Sequence, residues 1–162
     1  MRRLIGFRQS RVVGLIVALL LTLPVVVASA DPPTTATGTY TVTAQTIHSS
    51  EPAGGNTIIV QTTTYSIEGD FVGVCVEVVR VVLRSTGEFT LKGQGVFTGT
   101  LGEASGTLEP TLVGTGNVET GAFEGHLTFL SGTGGLANLH GQGTFVGTVL
   151  TGDYSLRILS AP

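Results

Sequence analysis

Gly95-Val96-Phe97-Thr98-Gly99 has three counterparts along the chain: Gly69-Asp70-Phe71-Val72-Gly73, Gly121-Ala122-Phe123-Glu124-Gly125 and Gly143-Thr144-Phe145-Val146-Gly147. The central rings, Phe71, Phe97, Phe123 and Phe145, are 26, 26 and 22 positions apart. Along an extended strand the side chains at i, i+2 and i+4 share one face. Each motif therefore sets one large ring between two missing side chains. Alternating small and large residues fill the taper of a narrow barrel, and an aromatic ring can cover bare backbone beside it. A helix would lose about 1 kcal/mol at every interior glycine relative to alanine. The motif specifies architecture, a glycine-laced all-β protein, and no reaction.

Working outward, the chain from Thr37 is rich in Thr, Val and Gly, with turn signals every ten to sixteen residues. That is the pattern of an antiparallel meander. Strands are predicted over 37–47, 57–68, 71–84, 88–98, 105–114, 122–130, 143–150 and 154–159, with 48–56 as the first long connection. Eight such strands make an antiparallel up-and-down barrel, whose interior either fills with side chains or holds one small ligand. The stretch 71–83 is apolar on both faces except at Glu77 and Arg80. A strand of that kind needs cover outside the barrel as well, from a partner subunit, the linker or a terminal segment, and the first makes residues 72–82 a candidate homo-oligomer surface.

Residues 1–30 read as an address. Arg2, Arg3, Arg8 and Arg11 precede an apolar run over 12–27, followed by Ala28-Ser29-Ala30. This order describes a secretory signal peptide cut after Ala30, with an uncleaved membrane anchor as the alternative. No cysteine follows the run, so lipoprotein attachment is unavailable there. Cleavage would leave four of the eight basic residues and all eleven acids, a formal charge of 4 − 11 = −7. That balance argues against nucleic acid and anionic membranes, which demand clustered Lys and Arg. Residues 31–36, with Pro32-Pro33, read as a stiff linker, and 37–160 as a single barrel domain. Cys75 is the sole cysteine. It forbids an intrachain disulfide, and its apolar neighbours suit a buried inert thiol.

Residues 132–145, Gly-Thr-Gly-Gly-Leu-Ala-Asn-Leu-His-Gly-Gln-Gly-Thr-Phe, resemble the penultimate hairpin of the allene-oxide-cyclase-like barrel superfamily. Within it, the chain is most similar to a bacterial family of unknown function with small, often secreted barrels. Residues 37–42, 65–73 and 98–108 extend the likeness, in order, over nearly the whole of 37–160. The resemblance implies an eight-stranded barrel, often self-associating, with an apolar cavity; relatives of that shape isomerise a fatty-acid epoxide or steer phenolic radical coupling. No motif places the cyclase's catalytic set on this chain. Asn138 stands where the family pattern has Gly, and Asn tolerates positive φ better than other side chains. The position is therefore expected to be a left-handed turn residue.

Polar chemistry is sparse. Gly132-Thr133-Gly134-Gly135-Leu136-Ala137 matches a dinucleotide fingerprint in letters only, since it lies between predicted strands. No nucleotide or other cofactor is expected. His48 and His140 fall in predicted loops and His126 on an outward position, so no metal site is expected either. Glu77 and Arg80 are three residues apart, on opposite faces by strict alternation and on the same face only across a bulge. A carboxylate buried beside an apolar cavity would have a raised pKa and could serve as an acid or base. The ordinary alternative is that Arg80 and Arg84 share a face in solvent and the charges do nothing. Three functions follow: a secreted barrel binding a small apolar molecule without catalysis; a cyclase or isomerase of an oxidised lipid or phenolic, using Glu77 and Cys75; and a structural homo-oligomer.

Overall fold

The computed structural model describes residues 32–160. The leader assigned to 1–30 lies outside the described residues. Eight antiparallel strands follow one another: β1 (Thr34–Ala53), β2 (Asn56–Gly69), β3 (Phe71–Arg84), β4 (Glu88–Leu101), β5 (Ala104–Asn117), β6 (Ala122–Gly134), β7 (Leu139–Thr148) and β8 (Thr151–Ser160). Each pairs with its neighbours in sequence, and β1 pairs with β8, so the sheet closes into a ring. No helix occurs among the described residues.

The ring is staggered. From Thr41 the ladder runs to Thr151 on β8, crosses β7, β6, β5, β4, β3 and β2, and returns to β1 at Ala53. Strand tilt and ring width rise together with this stagger. The far half of β1 consequently has β2 on one side and no strand on the other. Register shifts between Val42 and Ala44 and between Ile47 and Ser49 twist this edge, and Pro52 removes one of its donors. These are ordinary devices against edge-to-edge pairing.

Several boundaries differ from the sequence reading. β1 begins at Thr34 because Thr34–Ala36 pair with Leu156–Ile158 of β8, and Ala36 is buried. Closure thus absorbs residues read as linker. The stretch 48–56 is not a loop: strand pairing continues to Ala53↔Asn56, leaving only Gly54-Gly55 at the tip. Their φ values of 59° and 84° suit a two-residue primed turn, whose twist matches the strands. At the β7–β8 hairpin the turn is Val149-Leu150, not 151–153, because the Thr148 hydroxyl accepts from the Leu150 and Thr151 amides. β7 starts at Leu139 instead of Gly143, which takes His140 out of a loop and into a strand. Asn138 has no positive φ; the left-handed residue of that turn is Gly134, at 61°.

Inside the ring, rings lie on glycines. Phe71, Phe97, Phe123 and Phe145 are all buried and belong to one core cluster. Phe71 and Phe97 meet edge to face at 5.7 Å, and Phe123 and Phe145 lie 4.8 Å apart. A Cβ added at Gly99 would strike Phe97, one at Gly125 would strike Phe145, and one at Gly114 would come within 2.9 Å of Phe123. Gly143 faces backbone at Ser155 and Leu156 instead, so there the missing side chain permits close strand approach. Phe89 and Phe129 cover Gly116 and Gly141 in the same way, outside the four-fold motif.

Candidate functional site

β3 carries Phe71, Cys75, Glu77 and Val79 into the interior and Val72, Val74, Val76, Val78 and Arg80 outward. Alternation is unbroken through this strand, so Glu77 and Arg80 part company. Arg80 and Arg84 are exposed, and Arg84 pairs with Glu88 at 3.6 Å. Glu77 goes the other way and is only 3% exposed.

Room for its carboxyl comes from the facing strand. Glu77 stands opposite Gly95, where a Cβ would collide with the Glu77 side chain and the Val76 carbonyl. On the other flank it stands opposite Thr63, itself buried, whose hydroxyl accepts from Gln61 Nε2 at 3.3 Å. Glu77 Oε1 accepts from the Cys75 thiol at 3.5 Å, and Oε2 has no partner. An unpaired buried carboxylate oxygen is costly unless the group takes up a proton.

The carboxyl borders a cavity of about 100 Å³ at the centre of the ring. Its wall is otherwise apolar and aromatic, with Tyr65, Phe97, Leu112 and Phe145 among the lining residues. Two of the three tyrosine hydroxyls that line it are engaged elsewhere. Tyr40 Oη donates to the Thr148 carbonyl at 2.7 Å, and Tyr154 Oη accepts from the Phe71 amide at 3.1 Å. Burial pushes the Glu77 carboxyl up to about 7, and the neighbouring Cys75 and Tyr65 groups offset this only in part. Burial, reinforced by Glu77, also drives the Cys75 thiol well above its ordinary range. Cys75 is therefore a neutral hydrogen-bond donor near neutral pH and a poor nucleophile.

The remaining polar residues do not assemble. His48 is exposed on β1 with Nε2 2.7 Å from the Thr62 hydroxyl, His126 is exposed on β6, and His140 is half-buried on β7. No group of three metal-ligating side chains occurs among the described residues. After Gly132-Thr133-Gly134 the chain makes a turn back into β7, where a dinucleotide site would need a helix. The same turn folds Leu136 into the core at that end. Leu136 and the three cavity tyrosines were missed by motif reading. Alternation from Phe71 to Cys75 and Glu77 was the available signal for the site.

Residues 36–157 match the model of a family described as "Protein of unknown function (DUF3224)". The chain belongs to this DUF3224 family. Among solved structures, it is similar to a protein of unknown function from the DUF3224 family of Shewanella oneidensis MR-1. The two align with a TM-score of 0.68 at 17% identity, over 81% of this chain and 100% of that one. At that identity the likeness concerns the fold alone. No curated protein matches the chain. What distinguishes a site in this DUF3224 domain is thus its own geometry: one protonatable, half-satisfied carboxyl in a closed aromatic ring.

Proposed function

We propose that this DUF3224 protein is an exported carrier or sensor of a compact, mostly apolar molecule bearing a single hydroxyl or carbonyl. The observation that carries the reading is Glu77 Oε2, buried without a partner beside an apolar cavity. A ligand polar group would complete its hydrogen bonding, while the rest of the ligand replaces empty space against aromatic walls. Size restricts the class. Drug-sized ligands occupy about 300–1,000 Å³, and an apolar cavity of about 150 Å³ holds benzene. A cavity of about 100 Å³ suits one small ring or a short chain and is too small for a fatty-acyl chain without expansion. Export rests on the signal-like order of residues 1–30. The likeness of residues 37–42, 65–73, 98–108 and 132–145 to allene-oxide-cyclase-like barrels favours the same ligand-holding architecture.

Titration calorimetry with phenol and with benzene tests the proposal. Phenol should bind more tightly by up to about tenfold, the worth of one net hydrogen bond. Glu77→Leu should abolish that preference while leaving the fold intact. Equal affinity for the two ligands, or no binding of either at about 10 mM, would remove the reading.

A second reading rests on the same placement of Glu77, buried in the cavity wall, where burial raises the carboxyl to about 7 and leaves it able to exchange protons near neutrality. On that reading Glu77 is the acid or base of an isomerase acting on a small enolisable ring, with Cys75 positioning it. Proton-deuteron exchange into cyclopentanone, followed by NMR, should then be accelerated by the wild type and not by Glu77→Gln. Equal exchange in both would dismiss catalysis while leaving binding untouched.

A further inference from the structure

The outer face of β3 is a stripe of Val72, Val74, Val76 and Val78, each about half exposed. Val96 on β4 stands beside Val76 and extends the stripe sideways. Its flanks are uncharged: Thr62, Thr64 and Ser66 on β2, Gln94, Thr98 and Thr100 on β4. Charge collects only at the two ends. At one end Arg80 and Lys92 are directly opposite each other across β3 and β4. Like charges so placed repel, and neither forms an ion pair among the described residues. At the other end, level with or just beyond Val72, are exposed Glu68, Asp70 and Glu103.

We propose that this face binds a second copy of the chain, with the two β3 strands antiparallel about a two-fold axis that crosses β3 between Val74 and Val76. In that arrangement Val72 meets the partner's Val78, and Val74 meets the partner's Val76. The basic end of each copy lies over the acidic end of the other, so that Arg80 comes over the partner's Asp70, whose Oδ2 accepts from the Thr37 amide and hydroxyl of its own copy and whose Oδ1 is left for the contact. A parallel arrangement would stack Arg80 on its own copy and bring both Lys92 side chains to the same end, and charge disfavours it. Two sheets packed face to face settle about 10 Å apart and within about 30° of alignment. Long Arg and Lys side chains span that gap. The exposed far half of β1 is the competing site, but its two register shifts and Pro52 oppose strand addition.

Three strands by nine residues give a footprint of roughly 14 by 27 Å. That is small beside the standard interface of about 800 Å² per partner, so the dimer should be of micromolar strength. Sedimentation equilibrium from about 1 to 200 μM in low salt tests it. The wild type should pass from monomer to dimer, and 0.5 M NaCl should shift the midpoint upward because rim charges are screened. Val76→Lys should remain monomeric throughout. Val76→Thr, which matches the threonines already on this face, should weaken association about tenfold and serves if the lysine variant folds poorly. Arg80→Glu should weaken it as well, whereas Thr111→Lys on β5 should not. A wild type that stays monomeric, a closed trimer, or association unchanged in Val76→Thr would overturn the proposal.

Discussion

The pH dependence of stability offers the sharpest test of the Glu77 environment. The carboxyl has an ordinary value of 4.5 and is raised to about 7 in the folded chain. Below about pH 4.5 the group is protonated in both folded and unfolded chains and contributes no difference. Between about 4.5 and 7 the unfolded chain releases the proton while the folded chain keeps it. The unfolded state then binds fewer protons, so stability falls as pH rises. Above about 7 both states are ionised and the loss is complete. At 1.36 kcal/mol per unit, the whole descent amounts to about 3 kcal/mol. Glu77→Gln keeps the shape and the oxygen that accepts from Cys75 but has no proton to exchange. Urea melts of both proteins at half-unit steps from pH 4 to 8.5 isolate the effect, since every other titrating group is common to the two. The variant should gain about 3 kcal/mol relative to wild type between pH 4.5 and 7.5, whatever its constant offset. Two curves that run parallel across this range would refute the argument, because they would mean that Glu77 ionises in the fold as it does in water.

The interior rings and glycines, the hairpin tip and the thiol give three further expectations. Phe97→Ala or Phe145→Ala should each cost about 3–5 kcal/mol and Gly143→Val a comparable amount through backbone collision, while Thr98→Ala on the outer face stays within about 0.5 kcal/mol; chemical denaturation measures all four, and Phe→Ala losses below about 1 kcal/mol would place the rings outside. Gly54→Asn should be neutral or stabilise by up to about 1 kcal/mol, because open space surrounds Gly54, its φ of 59° suits Asn in a primed turn, and the unfolded chain loses freedom; a lower melting temperature would contradict the turn assignment. Cys75 should resist a thiol reagent at pH 8 in the native protein and react fully in denaturant, as followed by mass spectrometry, and rapid native labelling would contradict its burial.

Much of the architecture was legible because extended chains have a two-residue period. Alternation puts Phe71, Cys75 and Glu77 on one face and Arg80 and Arg84 on the other without any knowledge of neighbouring strands, and the turn residues at Gly69-Asp70 and Ser85-Thr86-Gly87 bound β3 from sequence alone. Alternation cannot say which face is inside, since 71–83 is apolar on both apart from Glu77 on one and Arg80 on the other. Closure of the ring decided that, by setting Gly95 opposite Glu77 and so leaving space for the carboxyl on one side only. Strand ends were also beyond local reading. Thr34–Ala36 became strand because β8 lacked a partner, and the far half of β1 extends to Ala53 because Gly54-Gly55 turns more tightly than 48–56 suggested. The composition determined an all-β chain with rings set among glycines, whereas the cavity, the unsatisfied oxygen of Glu77 and the uncovered valine stripe exist only once eight strands meet, because each depends on what the adjacent strand leaves out.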